Sequence, residues 1–193
     1  MIENLESISS SFLLVAVSEM GDKTQLLAFS LAAKYKRPWP IMAGIFVATL
    51  LNHGLASWGG QWVAKALTPS VLALLLGGIF LAFGLWTLKP DTADEVEESS
   101  RFGPFLTTTF LFFMAEMGDK TQLATVALGA QFQNAWLVTV GTTLGMMLTD
   151  GLAVVAGDRI SHKINMKYMR WTAAGLFFVF ALTSFWEGFQ KLA

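Results

Sequence analysis

The sequence predicts an all-α integral membrane protein whose six transmembrane helices form two inverted three-helix repeats. Three observations predict it. The 193-residue chain is 54% hydrophobic, with sixteen Phe, seven Trp and a mean hydropathy of +0.54, more apolar than a soluble core requires. Its apolar residues gather into six runs, 7–33, 39–60, 70–88, 103–131, 135–157 and 170–190, each long enough to cross about 30 Å of hydrocarbon as a helix. An octet also recurs at an offset of 97 residues, "SEMGDKTQ" at Ser18–Gln25 and "AEMGDKTQ" at Ala115–Gln122. Sliding the chain against itself by that offset gives 17 identities over the 42 positions from Glu19 to Gly60. Each copy holds three spans, an odd number, so the second copy enters the membrane from the opposite side, a plan common to secondary transporters. The expected organisation is one membrane domain, 1–193: repeat 1 over 7–88, an acidic cytoplasmic linker over 89–101 and repeat 2 over 102–190.

The first span follows "MIENLESISSS", which carries Glu3 and Glu6 but no Lys or Arg and runs straight into the charged octet, so a cleaved signal peptide is not expected. In the second span, Trp39 reads as an interfacial anchor, Gly44 as a close-packing site, and Asn52 and His53 as intramembrane polar residues. Trp62 precedes the third span, where Gly77 and Gly78 read as further packing glycines. The connection Lys89–Arg101 is polar, acidic and expected to be mobile. The fourth span carries the second octet. The fifth begins near Trp136 and places Thr149 and Asp150 at the positions equivalent to Asn52 and His53, and the sixth opens at Trp171. With the N-terminus outside, nine Lys and Arg fall in inner connections and two, Lys65 and Lys191, in outer ones, which predicts both termini outside.

No soluble domain is left to carry a function, and the absence of Cys excludes disulfides, thiolate metal ligands and Cys nucleophiles. What remains is the octet. Each copy falls near mid-bilayer, where one carboxylate or ammonium costs about 2.5–3.5 kcal/mol even on a lenient scale and such groups face a bundle interior or a wet cavity. Glu19 and Asp22 are spaced i,i+3, as are Glu116 and Asp119, so on continuous helices each pair shares a face and four carboxylates converge. Gln25, Gln122, Thr24 and Thr121 add amide and hydroxyl oxygens, and Gly21 and Gly118 permit close packing or local unwinding. Oxygen ligands suit Mg²⁺, Ca²⁺ or Mn²⁺. Met20 and Met117 are expected to pack. With Lys23 and Lys120 included, the cavity carries a formal −2, which one divalent cation or partial protonation neutralises, so metal and protons are expected to compete. Asp150 is expected to be functional as a lone buried carboxylate, whereas His53 reads as structural or as part of a second layer. Internal Glu19–Lys23 and Glu116–Lys120 pairs at i,i+4 are the simplest purely structural use of these charges, but they leave both Asp unexplained.

The paired E-x-G-D-K-T signatures in a six-span chain of this length resemble the calcium:cation antiporter-2 family, which includes bacterial manganese exporters and the Golgi calcium/manganese transporters of eukaryotes. The resemblance covers essentially the whole chain. It implies that Glu19, Asp22, Glu116 and Asp119 bind the transported cation, with Lys23, Thr24, Lys120 and Thr121 completing the signatures. It also implies Mn²⁺ export across a bacterial inner membrane, with Ca²⁺/H⁺ exchange as the alternative and the metal as cargo. The expected partners are a divalent cation and the bilayer, with no cofactor and no nucleic acid, and a homo-oligomer is left open. An intramembrane aspartyl protease also needs Asp on two helices, but "EMGD" carries Glu where its G-x-G-D signature has Gly. An amino-acid transporter would not place four acids together. No enzymatic activity is expected.

Overall fold

The structure, a computed structural model, describes residues 2–89, 102–156 and 166–192. All regular structure among the described residues is helical: α1 (Ile2–Glu19), α2 (Lys23–Tyr35), α3 (Pro38–Ala66), α4 (Pro69–Thr87), α5 (Pro104–Glu116), α6 (Lys120–Phe132), α7 (Ala135–Ala156) and α8 (Met166–Gln190). Four of these helices are long and apolar enough to cross a membrane, over Pro38–Ala66, Pro69–Thr87, Ala135–Val155 and Trp171–Gln190. The other two expected spans, 7–33 and 103–131, are not continuous. Each is broken inside the octet, between α1 and α2 and between α5 and α6. The linker 89–101 lies, apart from Lys89, outside the described residues.

The breaks have a local cause. Gly21 and Gly118 adopt φ of 88° and 76°, a left-handed conformation that no α-helix continues through and that glycine tolerates without steric cost. The next residue, Asp22 or Asp119, is extended and caps the following helix, its Oδ1 accepting from the N–H of Lys23 at 2.8 Å or of Lys120 at 2.7 Å. Both second halves then end alike, at Lys36 and Gln133, with φ of 52° and 49°.

Packing repeats at the same 97-residue offset. A Cβ on Gly44 of α3 would approach the Phe105 carbonyl and Thr108 Cβ of α5 to 2.8 Å, and one on Gly141 of α7 would approach the Ile8 carbonyl and Ser11 Cβ of α1 to 2.5 and 2.9 Å. These are helix pairs in backbone-close contact, as expected where small residues let helices approach. α3 packs on α5, α6 and α7; α7 packs also on α1 and α2; and α4 packs against α8. Two apolar clusters result. One joins Leu14 of α1 and Leu128 of α6 to Phe80 and Phe177; the other joins Leu31 of α2 and Phe112 of α5 to Ile41 and Ile45. Each cluster therefore takes the first half of one broken segment and the second half of the other, and the two octets lie at the junctions.

Trp39, Trp62, Trp136 and Trp171 stand on the outer surface, as interfacial anchors should. Gly77 packs beneath the ring of Phe185, but Gly78 faces open space and is not the packing site the sequence predicts. At Gly60, a side chain would run into the Val126 carbonyl of α6. Gly60→Val should therefore cost about 1–3 kcal/mol of stability and lower the midpoint of thermal unfolding in detergent. Gly78→Ala, with helix propensity gained and nothing to strike, should hold or raise it.

Candidate metal centre

The broken helices bring the two octets face to face. Glu19 ends α1 and Glu116 ends α5, both fully buried, and Asp22 and Asp119 open α2 and α6, nearly so. The i,i+3 helix face predicted for each Glu–Asp pair is replaced by a bend that carries the two acids on different helices. Glu19, Asp22 and Asp119 each present a ligand atom within 4.8 Å of the others, so three of the four predicted carboxylates form one cluster. Glu116, the fourth, is not one of the three and has His53 as a neighbour. An anion at a helix C-terminus sits at the negative end of the dipole, so Glu19 and Glu116 add to the unpaired carbonyls there and make the junction attractive to a cation.

Each lysine reaches the Asp of the other octet. Lys120 Nζ lies 3.1 Å from Asp22 Oδ2, and Lys23 Nζ lies 3.5 Å from Asp119 Oδ2. The pairs cross between the copies, and no i,i+4 arrangement within one helix could produce them. They are unequal, since Lys120 is 4% exposed and Lys23 27%.

The remaining octet residues hold the bends. Thr24 Oγ1 donates to Glu19 Oε2 at 2.8 Å, and Thr121 Oγ1 to Glu116 Oε2 at 3.1 Å. The amide oxygens expected to face a cation are already engaged: Gln25 Oε1 accepts from Gly21 N at 2.9 Å, and Gln122 Oε1 from Gly118 N at 2.7 Å. These N–H groups lost their helical acceptors at the break, and inside an apolar bundle they need replacements. Gln25 Nε2 then donates to the Thr149 carbonyl of α7 at 3.1 Å, and Gln122 Nε2 to Asn52 Oδ1 of α3 at 2.7 Å.

Asn52, read from the sequence as an intramembrane polar residue, is joined to the second break. Its Nδ2 donates at 3.0 Å to the Phe113 carbonyl, which the ending of α5 releases, so one side chain ties both sides of the second break to α3. Its alignment with Thr149 across the repeats was the available signal. His53 and Asp150, the next equivalent pair, are both fully buried. His53 Nε2 lies 4.0 Å from Glu116 Oε2. Neither ring nitrogen of His53 and neither oxygen of Asp150 has a hydrogen-bond partner, and Glu19 Oε1 and Glu116 Oε1 have none either. Buried polar atoms are nearly always satisfied, and unsatisfied ring nitrogens and carboxylate oxygens gathered at one junction are an arrangement that a bound ligand would complete.

Comparison with known proteins agrees with this chemistry. The family described as "Divalent cation/proton antiporter GDT1" matches twice, over residues 7–95 and 104–192. The chain belongs to that family. A Vibrio cholerae protein named "Putative manganese exporter" is 46% identical over 92% of this chain and 89% of its own length. The "GDT1-like protein sll0615" of Synechocystis is 30% identical over 94% of this chain and 98% of its own, and the yeast "Divalent cation/proton antiporter GDT1" is 24% identical over 96% and 85%. No solved structure matches the chain. GDT1-family proteins are transporters, so the protein is not an enzyme and a cation is its cargo.

The crossed pairs can be tested through stability. Removing either partner of Lys120–Asp22, as in Asp22→Asn or Lys120→Gln, should cost about 3–5 kcal/mol, because the other charge is left buried alone. The double variant should recover much of that loss in a thermal-unfolding double-mutant cycle. Lys23–Asp119, partly open to solvent, should show a smaller coupling.

Proposed function

We propose that the protein exports Mn²⁺ across a bacterial inner membrane by alternating access, in exchange for protons. The cation is held by Glu19, Asp22, Glu116 and Asp119. The observation that carries this reading is the junction itself: three carboxylates within 4.8 Å of one another, buried, with crossed lysines neutralising the two Asp. Buried carboxylates at that spacing repel each other unless a cation or protons join them. The names of the Vibrio and yeast relatives support manganese as the cargo and protons as the counter-ion.

The chain is organised as a repeat over 7–88, a linker over 89–101 and a repeat over 102–190, with six membrane crossings, two of them through broken helices. The second repeat is inverted relative to the first, and both termini lie outside. The distribution of Lys and Arg supports the orientation. Inversion is supported by the two apolar clusters, which unite α1 with α6 and α2 with α5, as antiparallel copies would. Broken helices meeting at the interface of such repeats are where transporters hold ions.

Lys23 and Lys120 act as internal counter-ions. In the empty site each ammonium neutralises the Asp of the other repeat, and an arriving divalent ion displaces at least one of them. Bending at the breaks then exposes the site to one side or the other. The carboxylate set alone would also hold Ca²⁺, which takes oxygen ligands, and Ca²⁺/H⁺ exchange is the second reading.

Flux into proteoliposomes, with Mn²⁺ or Ca²⁺ outside and a pH gradient on or off, tests the proposal. The wild type should carry Mn²⁺ and respond to the gradient, while Asp22→Asn and Asp119→Asn should each lose at least about tenfold in rate. Lys23→Gln and Lys120→Gln should change the proton dependence of any flux that persists. Folded wild-type protein that moves neither ion would overturn the reading.

A further inference from the structure

We infer that His53 is a nitrogen ligand of the transported cation, acting with Glu116, and that it biases the site toward a transition-metal ion over Ca²⁺. The inference rests on the proposed transport reading and deepens it by assigning the residue that sets selectivity.

His53 lies on α3, the helix that packs on α5, α6 and α7, and it is fully buried. A histidine serving structure in such a place donates one ring N–H to a carbonyl or hydroxyl and accepts at the other nitrogen, or at least does one of these. His53 does neither. Glu116 Oε2 lies 4.0 Å from its Nε2, too far for a hydrogen bond. That separation suits two ligand atoms on one ion, since metal–ligand bonds of about 2.0–2.6 Å set widely angled donors about 4 Å apart. Glu116 Oε1 is likewise without a hydrogen-bond partner, while Thr121 orients the carboxylate through Oε2.

The repeat sharpens the point. The position equivalent to His53 is Asp150, a buried carboxylate whose oxygens also lack hydrogen-bond partners. Two buried donors at corresponding positions of α3 and α7 therefore differ in kind, one nitrogen and one oxygen. An all-oxygen set offers no chemical preference for a transition ion over Ca²⁺ or Mg²⁺. A neutral imidazole contributes little to those ions but adds to the binding of first-row transition ions; Mn²⁺, lowest in that series and content with oxygen ligands, gains least among them but more than Ca²⁺.

Pulsed EPR on the full chain in nanodiscs, with any polyhistidine tag removed and Mn²⁺ added below one equivalent, reads the ligand directly. The expected result is ¹⁴N modulation of the bound-Mn²⁺ signal that survives His162→Gln and disappears in His53→Gln. In proteoliposomes, His53→Gln should raise the KM for Mn²⁺ about tenfold while leaving that for Ca²⁺ within about twofold. Bound Mn²⁺ without nitrogen modulation in the wild type would overturn the His53 assignment and leave the transport reading standing. Wild-type protein that binds no Mn²⁺ would overturn both. Because the decisive spectrum is that of the wild type, poor folding of His53→Gln would not rescue the idea, and His53→Asn supplies a second variant for the KM comparison.

Discussion

A helix that stops inside an apolar bundle releases backbone N–H and C=O groups where little or no water is available to bond them, and most residues of the two octets answer to that constraint. The glycine makes the stop, the Asp caps the restart, the Gln side chain takes the N–H freed at the glycine, and the Thr fixes the Glu at the end of the preceding helix. Seven consecutive residues, Glu19 to Gln25, thus include five with a traceable task at the break, and the second copy repeats each bond at the same offset. What the break leaves over is Glu Oε1 and Asp Oδ2, the carboxylate oxygens that neither capping nor threonine uses.

The crossed lysines follow from the same geometry. Once the helix bends at Gly21, Lys23 leads away from Glu19 on a new axis, and the carboxylate it reaches is Asp119 of the other copy. A bundle held by pairs within each octet would let the repeats move independently. Pairs between octets make the charge balance of one repeat depend on the position of the other. Buried pairs of this type contribute little net stability but penalise any arrangement that separates them, which is the behaviour required of a site that should not change sides with its charges unmatched.

Much of this was legible in the sequence. Six apolar runs, a 97-residue repeat and two charged octets are visible without coordinates, and the duplication alone aligns His53 with Asp150 and Asn52 with Thr149. The break was written there as well: a glycine followed by Asp and then Lys-Thr-Gln is a helix stop joined to an N-cap. The long apolar runs on either side hid it, because hydropathy counts residues and ignores backbone continuity. The role of Gln25 and Gln122 could not be read, since their amides are claimed by N–H groups that become free only when the helix breaks. The pairing of Lys120 with Asp22 was equally out of reach, because it joins residues nearly one hundred positions apart whose meeting depends on how the halves pack.

The copies are equal in motif but not in support. Asn52 ties the second break to α3 with a side chain, while the first break is tied to α7 through the Thr149 carbonyl, which cannot rotate away without disturbing the helix. Lys120 is sealed with Asp22, whereas Lys23 retains contact with the exterior of the chain. An ammonium near water can leave its carboxylate at modest cost, because solvent takes up part of the charge, while a sealed one cannot. On the proposed transport reading, the Lys23–Asp119 pair is the one that yields first to an arriving cation. On the same reading, Lys120 becomes the exposed partner when the repeats exchange roles, and the two pairs act as gates in alternation.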